Sequence, residues 1–232
     1  MNNHTEEHLQ SSDILRDIVI GMSDGLTVPF ALAAGLSGAV GPGHINLIWI
    51  AGLAEIAAGS IAMGLGGYLA GNTEVDHYYS ELQREYDEVE TSPDMEKEEV
   101  KEFFFKLGLS QEVQEKAVEE MTKDKDRWVD FMMKYELGLD KPDPKRARKS
   151  AFNIGFSYVV AGLIPLSPYF CVSESLTGLK ISAVITLICL FFFGYFKSKM
   201  TSVHPLAGAI RVMVIGALAA GCAFGVARLI QH

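Results

Sequence analysis

The sequence predicts an all-α, polytopic membrane protein with five transmembrane helices and a three-helix acidic module between spans 2 and 3. Two observations lead to this prediction. Apolar runs long enough to cross a hydrocarbon core of about 30 Å occur five times in the 232 residues. Charge is concentrated between them, since residues 72–150 hold 22 of the 29 acids and 14 of the 20 bases.

This pattern divides the chain into three parts. They are residues 14–71 with spans 1 and 2, residues 72–147 with the module, and residues 148–230 with spans 3 to 5. The net charge of -9 therefore belongs to the module, which disfavours nucleic acid as a partner and favours cations. Three cysteines lie in apolar runs without CxxC spacing, so we interpret Cys171, Cys189 and Cys222 as packing residues.

The first span, residues 14–40, has a carboxylate at membrane depth. Pro29 cannot donate a hydrogen bond to the Gly25 carbonyl, which predicts a kink near Asp24. A carboxylate at the bilayer centre costs about 2.5–3.5 kcal/mol, so Asp24 requires a partner or a function. A structural hydrogen bond between helices is the alternative.

A proline-free stretch, residues 47–90, predicts one continuous helix of about 66 Å that leaves the bilayer. A turn at residues 41–44 makes it the antiparallel neighbour of span 1. Every fourth residue from Ala51 to Gly71 is small except Glu55 and Met63, so another helix can approach closely. We expect Glu55 and Met63 to line one pathway at two depths.

Glu55 and Met63 together indicate the chemistry of that pathway. Carboxylate oxygen with thioether sulfur favours iron(II), with manganese, cobalt, nickel and zinc as lesser candidates. A carboxyl group inside a membrane also favours its neutral form. Asp24 and Glu55 can therefore each hold a proton when no cation is bound, which predicts exchange of protons for metal.

The remaining spans are predicted at residues 151–172, 178–196 and 206–230. Bases just before span 3, at positions 145–149, mark the cytosolic side, which places the N-terminus and residues 72–150 in the cytosol and the C-terminus across the membrane. The polar start of the chain does not resemble a cleavable signal peptide.

Two further features of these spans have structural interpretations. Asn153 and Tyr158 in span 3 are either polar contacts inside the helix bundle or interfacial and packing residues, and we favour the second interpretation. Gly221 and Gly225 form a GxxxG pattern in span 5, which predicts helix packing.

In the module, periodicity predicts helices up to about residue 90, over 93–107 and over 111–137. The expected core residues are Phe103, Phe104, Phe105, Leu109, Val113, Trp128, Phe131 and Tyr135. Acidic residues and one methionine recur at helical spacing, namely Glu81, Glu85, Glu88, Glu96, Glu99, Met132 and Glu136. One acidic helix face is ordinarily just solvated, but three facing helices concentrate like charges that a cation would neutralise.

Two other functions fit parts of the module. Glu74 and His77 form a Glu-x-x-His motif typical of ferritin-like di-iron oxidases, but that fold needs two such motifs in a four-helix bundle. Asp124, Asp126 and Asp130 suggest a calcium loop, which lacks the glycine required at its sixth position.

Nearly the whole chain resembles the vacuolar iron transporters of plants, fungi and some parasites. The resemblance rests on the acidic insert and on the segments Met22-Ser23-Asp24-Gly25, Pro29-Phe30-Ala31, Ala54-Glu55, Ala62-Met63-Gly64, Tyr68-Leu69-Ala70, Gly162-Leu163-Ile164-Pro165-Leu166 and Pro168-Tyr169. It implies a homodimer in the vacuolar membrane that exchanges cytosolic iron(II) for vacuolar protons between the two first spans, without a catalytic cofactor.

By matching positions, the resemblance also implies the residues that do this. The transport residues are Asp24, Glu55 and Met63. The ligands of a cytosolic metal site are Glu85, Glu88, Glu96, Glu99, Met132 and Glu136, with Glu81 and Glu102 as further candidates. The expected partners are metal ions, protons, membrane lipid and a second copy of the chain.

Overall fold

The computed structural model describes residues 11–40, 44–200 and 204–230, and all regular structure in them is helical. The helices are α1 (Ser11–Ala39), α2 (Ile45–Thr91), α3 (Pro93–Lys106), α4 (Gln111–Met121), α5 (Lys125–Phe131), α6 (Arg146–Leu166), α7 (Ser175–Met200) and α8 (Pro205–Ile230). Five of them, α1, α2, α6, α7 and α8, are long and apolar enough to cross a membrane. The prediction of an all-α protein with five spans is therefore confirmed. The polar N-terminal residues and most of the predicted turn at 41–44 lie outside the described residues.

The chain forms two compact units. One, the membrane unit, comprises the residues up to 69 and those from 147 onward, and the other, the module, comprises residues 70–146. Helix α2 contributes to both, and its 47 residues confirm the long continuous helix.

Within the membrane unit, α6 approaches both α1 and α2 at glycines. A Cβ on Gly25 of α1 would lie 2.5 Å from the carbonyl oxygen of Tyr158. A Cβ on Gly67 of α2, one of the small residues that recur at every fourth position, would lie 2.6 Å from Ile154 Cδ1 and 3.0 Å from the Ser150 hydroxyl oxygen. Side chains at these positions would separate the helices, so the close approach predicted along α2 is confirmed, with α6 as its partner.

Prolines in the spans have different effects on the helices. Helix α1 is continuous through Pro29, and the kink expected near Asp24 stays a prediction. In span 3, α6 ends one residue after Pro165 and a 3-10 turn follows at Ser167–Phe170. The Ser182 hydroxyl of α7 donates to the Pro165 carbonyl at 2.7 Å, so the disturbed end of α6 is hydrogen-bonded by its neighbour.

Two interpretations of the spans need correction. A Cβ on Gly221 or Gly225 would meet no described atom within 4 Å, so the GxxxG pattern packs no helix of the chain as described. Instead, Gly38 of α1 contacts α8 at the Phe224 ring. Cys171 and Cys222 are exposed, which leaves only Cys189 as a packing residue.

The module differs from the sequence prediction in its last helix. Residues 111–137 form α4, α5 and a π-helical turn over Met132–Glu136 instead of one helix. Asp124 is the reason for the break, because its side chain accepts a hydrogen bond from the Arg127 N–H at 3.0 Å and caps a new helix.

The module core lies among α2, α3, α5 and the π-helical turn, with Trp128 and Phe131 buried as predicted. Three expected core residues are exposed instead: Phe105 at 68%, Val113 at 48% and Tyr135 at 52%. Ser92 and Ser110 occupy the N-cap positions of α3 and α4, but neither side chain makes a capping hydrogen bond.

Candidate metal-binding and transport residues

Three predicted ligands from three elements of the module meet in one place. Glu85 of α2, Glu96 of α3 and Glu136 of the π-helical turn each direct a carboxylate oxygen so that the three atoms lie within 4.8 Å of one another. We call these residues the carboxylate cluster. Oxygens at this spacing can bind one divalent cation together, since metal–oxygen distances are about 2.0–2.6 Å.

Two members of the carboxylate cluster are buried without full hydrogen bonding. Glu85 and Glu96 expose only 2% and 3% of their surface. The Oε2 atoms of both residues are buried and accept no hydrogen bond from any residue that the structure describes. Buried acceptors without a donor are uncommon because desolvation is costly, so these oxygens are suited to a cation.

The electrostatics of the carboxylate cluster also favour positive charge. Burial, then repulsion from Glu99 and Glu85, raises the pKa of Glu96 from 4.5 to about 7. Burial and the same two neighbours raise the pKa of Glu136 to about 7 as well. A proton or a metal ion would relieve this repulsion, so the two compete for the same oxygens near neutral pH.

The other predicted ligands lie around the carboxylate cluster. Glu99 shares a hydrogen bond with Glu136, and Glu88 adds to the negative potential at both Glu96 and Glu136. Met132 is only 1% exposed. With Glu99 and Glu136 it lines an open cleft of about 470 Å³. All six predicted ligands therefore belong to one region, although only three have oxygens within one ion's reach.

The two further candidates have other partners. Glu81 forms an ion pair with Arg84 at 2.6 Å, and Glu102 pairs with Lys106 at 2.9 Å. Arg84, which the sequence reasoning missed, also lies 3.5 Å from Glu88 and 3.9 Å from Glu85 Oε1. The half-exposed Arg84 side chain therefore neutralises part of the negative charge of the carboxylate cluster. Its position three residues after Glu81 and four before Glu88 is the spacing of helical ion pairs.

In the membrane unit, the structure connects Glu55 to an unexpected partner. The Tyr158 hydroxyl of α6 donates a hydrogen bond to Glu55 Oε1. Glu55 Oε2 is buried and has no hydrogen-bond partner among the described residues. The interpretation of Tyr158 as a packing residue is therefore wrong. Gly25 of α1 packs against the Tyr158 backbone, and Asp24 is the residue before it. Tyr158 therefore lies between α1, which carries Asp24, and α2, which carries Glu55.

A second acid in span 1 was missed by the sequence reasoning. Asp17 is 1% exposed and accepts hydrogen bonds from Ser150 at 3.0 Å and from Asn153 at 3.5 Å. Asn153 is thus a polar contact inside the bundle, contrary to our interpretation. Asp17 lies seven residues before Asp24, and that spacing is the signal that could have placed both on one face of α1. Met63 is half-buried on α2.

The motifs behind the two alternative functions are used differently. His77 lies 3.8 Å from Glu81 and does not belong to the carboxylate cluster. In the suggested calcium loop, Asp124 caps α5 and Asp126 accepts a hydrogen bond from Tyr86 at 2.8 Å.

Fold and candidate site together define a class: a five-span helical membrane protein with buried carboxylates in its spans and an acidic cluster in a separate module. The chain belongs to the VIT family, whose model matches residues 15–228. It is 49% identical to "Vacuolar iron transporter 2" of Oryza sativa subsp. japonica over 231 residues, covering 100% of this chain and 93% of that protein. It is 49% identical to "Vacuolar iron transporter 1" of Arabidopsis thaliana, covering 100% and 92%. To "Protein CCC1" of Saccharomyces cerevisiae it is 36% identical, covering 94% and 69%.

Proposed function

We propose that the chain transports iron(II) from the cytosol into the vacuole in exchange for protons. The observation that carries this proposal is the carboxylate cluster, in which two buried oxygens accept no hydrogen bond from the described residues. The relatives named vacuolar iron transporters support iron as the metal and the vacuole as the compartment. Manganese, cobalt, nickel and zinc are lesser substrates, because oxygen with one thioether discriminates weakly among these ions.

Protons and metal are exchanged because they compete for carboxylate oxygens. With pKa values of about 7, Glu96 and Glu136 are largely ionised at a slightly alkaline pH and bind metal, and they are neutral at an acidic pH and release it. The carboxylate cluster thus captures metal on the cytosolic side. Asp24 and Glu55 then move it across the membrane, and each takes up a proton from the acidic lumen when the metal leaves.

We further propose that the transporting form is a homodimer. Within one chain, Asp24, Glu55 and Met63 offer three ligands, fewer than an octahedral divalent ion requires. A path between two copies of α1 would double that number. The basic residues at the start of α6 support an orientation with the N-terminus and the module in the cytosol and the C-terminus in the lumen.

Reconstitution in liposomes tests the proposal. Iron(II) is supplied outside under anaerobic conditions, the lumen is buffered about 1.5 pH units more acidic, and metal entry and lumenal pH are recorded together. We expect uptake coupled to proton exit. Absence of uptake, or proton movement that does not depend on metal, would refute antiport.

Variants then test the assigned residues. Glu55→Gln and Asp24→Asn should abolish uptake, because a neutral amide cannot exchange a proton for a metal ion. Glu174→Gln is the matched control, since this acid accepts a hydrogen bond from Thr177 at the start of α7. Full uptake by Glu55→Gln would remove Glu55 from the pathway. Loss of uptake in the control would point to a general structural defect.

A further inference from the structure

Glu55 uses its two oxygens differently. Oε1 accepts the hydrogen bond from Tyr158, whose side chain is only 2% exposed. Oε2 is buried and accepts no hydrogen bond from the described part of the chain. A tyrosine hydroxyl has one proton to donate, so Tyr158 satisfies one oxygen and leaves the other for a ligand.

The surrounding glycines hold this arrangement in place. A Cβ on Gly59 would lie 2.5 Å from the Tyr158 hydroxyl oxygen and 2.8 Å from Glu55 Oε1. Only glycine at this position therefore leaves room for the hydrogen bond. On the other side, the close approach of Gly25 fixes the backbone of Tyr158. Both partners of the hydrogen bond are thus held by helix packing.

We infer that Tyr158 restricts Glu55 to binding a cation through Oε2 alone, and that this restriction discriminates against calcium. Calcium takes six to eight oxygen ligands and gains from carboxylates that bind through both oxygens. Iron(II) and its neighbours need fewer ligands and accept a single carboxylate oxygen. Tyr158 is therefore a positioning residue that sets specificity, and this inference rests on the proposed transport function.

The test measures inhibition of iron(II) uptake by calcium in liposomes. Tyr158→Phe removes only the hydroxyl, so Glu55 becomes free to bind calcium through both oxygens. We expect the calcium concentration that halves uptake to fall on the order of tenfold, as is common when a residue that orients a metal ligand is changed. The matched control is Tyr169→Phe, because Tyr169 is 1% exposed and its hydroxyl forms a hydrogen bond of 2.9 Å with Ser37 instead of a carboxylate.

A second variant disturbs the same hydrogen bond from the other side. Gly59→Ala keeps the hydroxyl but forces it away from Glu55, and it should raise calcium sensitivity in the same way. Its control is Gly66→Ala on the same helix, where a Cβ would meet no described atom within 4 Å. If one variant fails to insert into liposomes, the other decides the question.

The outcomes separate the inference from the function on which it rests. Wild-type protein that takes up no iron would refute the proposed function. A different result would overturn only the inference about Tyr158. In that case the wild-type protein transports iron, but Tyr158→Phe and Gly59→Ala are no more sensitive to calcium than their controls. Equal sensitivity in Tyr169→Phe would overturn it too, since a general loosening of helix packing would then be the cause.

Discussion

Glu96→Gln should stabilise the metal-free module at pH 7.5 and yet reduce its stabilisation by metal. The pKa of Glu96 rises from 4.5 to about 7. At about 1.36 kcal/mol per pH unit, this difference corresponds to about 3 kcal/mol of unfavourable free energy in the ionised folded state. Solvent screens the part that comes from the exposed Glu99, so we expect the substitution to recover about 1.5 kcal/mol.

The pH dependence follows from the sign of this shift. Because the folded-state pKa lies above the unfolded-state value, the folded state has no penalty well below pH 4.5 and the full penalty above about pH 7. The advantage of Glu96→Gln at pH 5 should therefore fall to about a quarter of its value at pH 7.5. Metal binding has the opposite effect on the comparison, because it stabilises the parent protein more than Glu96→Gln. At 100 times its Kd, iron(II) stabilises the native protein by about 2.7 kcal/mol, and a tenfold weaker variant gains only about 1.4 kcal/mol.

The assay follows unfolding of the module in the full chain in detergent. The sequence has two tryptophans. In a Trp49→Phe background only Trp128 remains, which is 4% exposed in the module core, so its fluorescence reports this unit. Glu98→Gln is the matched control, because this exposed acid on the same helix pairs with Lys101. A metal-free Glu96→Gln protein less stable than its parent at pH 7.5, or undiminished stabilisation by iron, would refute the reasoning.

Three further predictions concern metal preference, pH and the membrane unit. Met132→Leu should change module stability by less than about 1.5 kcal/mol, because the two side chains have similar volumes. Calorimetry should nevertheless show a larger loss of affinity for iron(II) than for manganese, and equal losses would argue against the thioether as a ligand. Lowering the pH from 7.5 to 6 should raise the iron(II) Kd about 70-fold, roughly eightfold for each of the two carboxylates with a pKa of about 7, as Glu96 and Glu136 take up protons. An unchanged Kd would contradict their assignment. Asp17→Ala should lower the stability of the membrane unit by about 1–3 kcal/mol, because Ser150 loses its acceptor; an unchanged melting temperature would show that this hydrogen bond is not needed.

Features encoded by adjacent residues could be predicted from the sequence. The length of α2 follows from a stretch without proline, and the end of α3 follows from Gly108, whose positive φ of 81° suits a glycine after a helix. The break after α4 was also encoded locally, because Asp124 is a good N-cap residue. A periodic pattern continuing on both sides concealed it. Acidic residues can follow helical spacing in one long helix or in two helices separated by a cap, so their spacing did not reveal the break.

The π-helical turn was beyond pattern reasoning. Its Leu137 N–H bonds to the Met132 carbonyl at 3.1 Å, five residues back rather than four. No residue type specifies such a turn, because it depends on how the core around Met132 packs. The turn determines where the Glu136 carboxylate points. Helical spacing therefore suggested which acids share a face, whereas the structure was needed to find the three whose oxygens meet.

Contacts between distant segments were missed for a related reason. Tyr158 and Glu55 are separated by 103 residues, and Asp17 and Ser150 by 133. A tyrosine or serine in an apolar run has no local spacing that distinguishes a hydrogen-bond donor from a packing residue. Only the close approach of α6 to α1 and α2 turns these side chains into partners of buried carboxylates.

Glu85 and Glu55 have the same arrangement in different surroundings. Glu85 Oε1 lies 3.9 Å from the Arg84 guanidinium, and Glu55 Oε1 accepts a hydrogen bond from Tyr158. Each residue also has a buried Oε2 that accepts no hydrogen bond from the described residues. Around Glu85 further carboxylates add attraction for a cation, which favours tight capture. The donor beside Glu55 is a neutral phenol. An ion must bind within a membrane strongly enough to enter but weakly enough to leave. On the proposed function, the acidic cluster therefore suits capture from dilute solution, and the sparser ligand set of the spans suits passage.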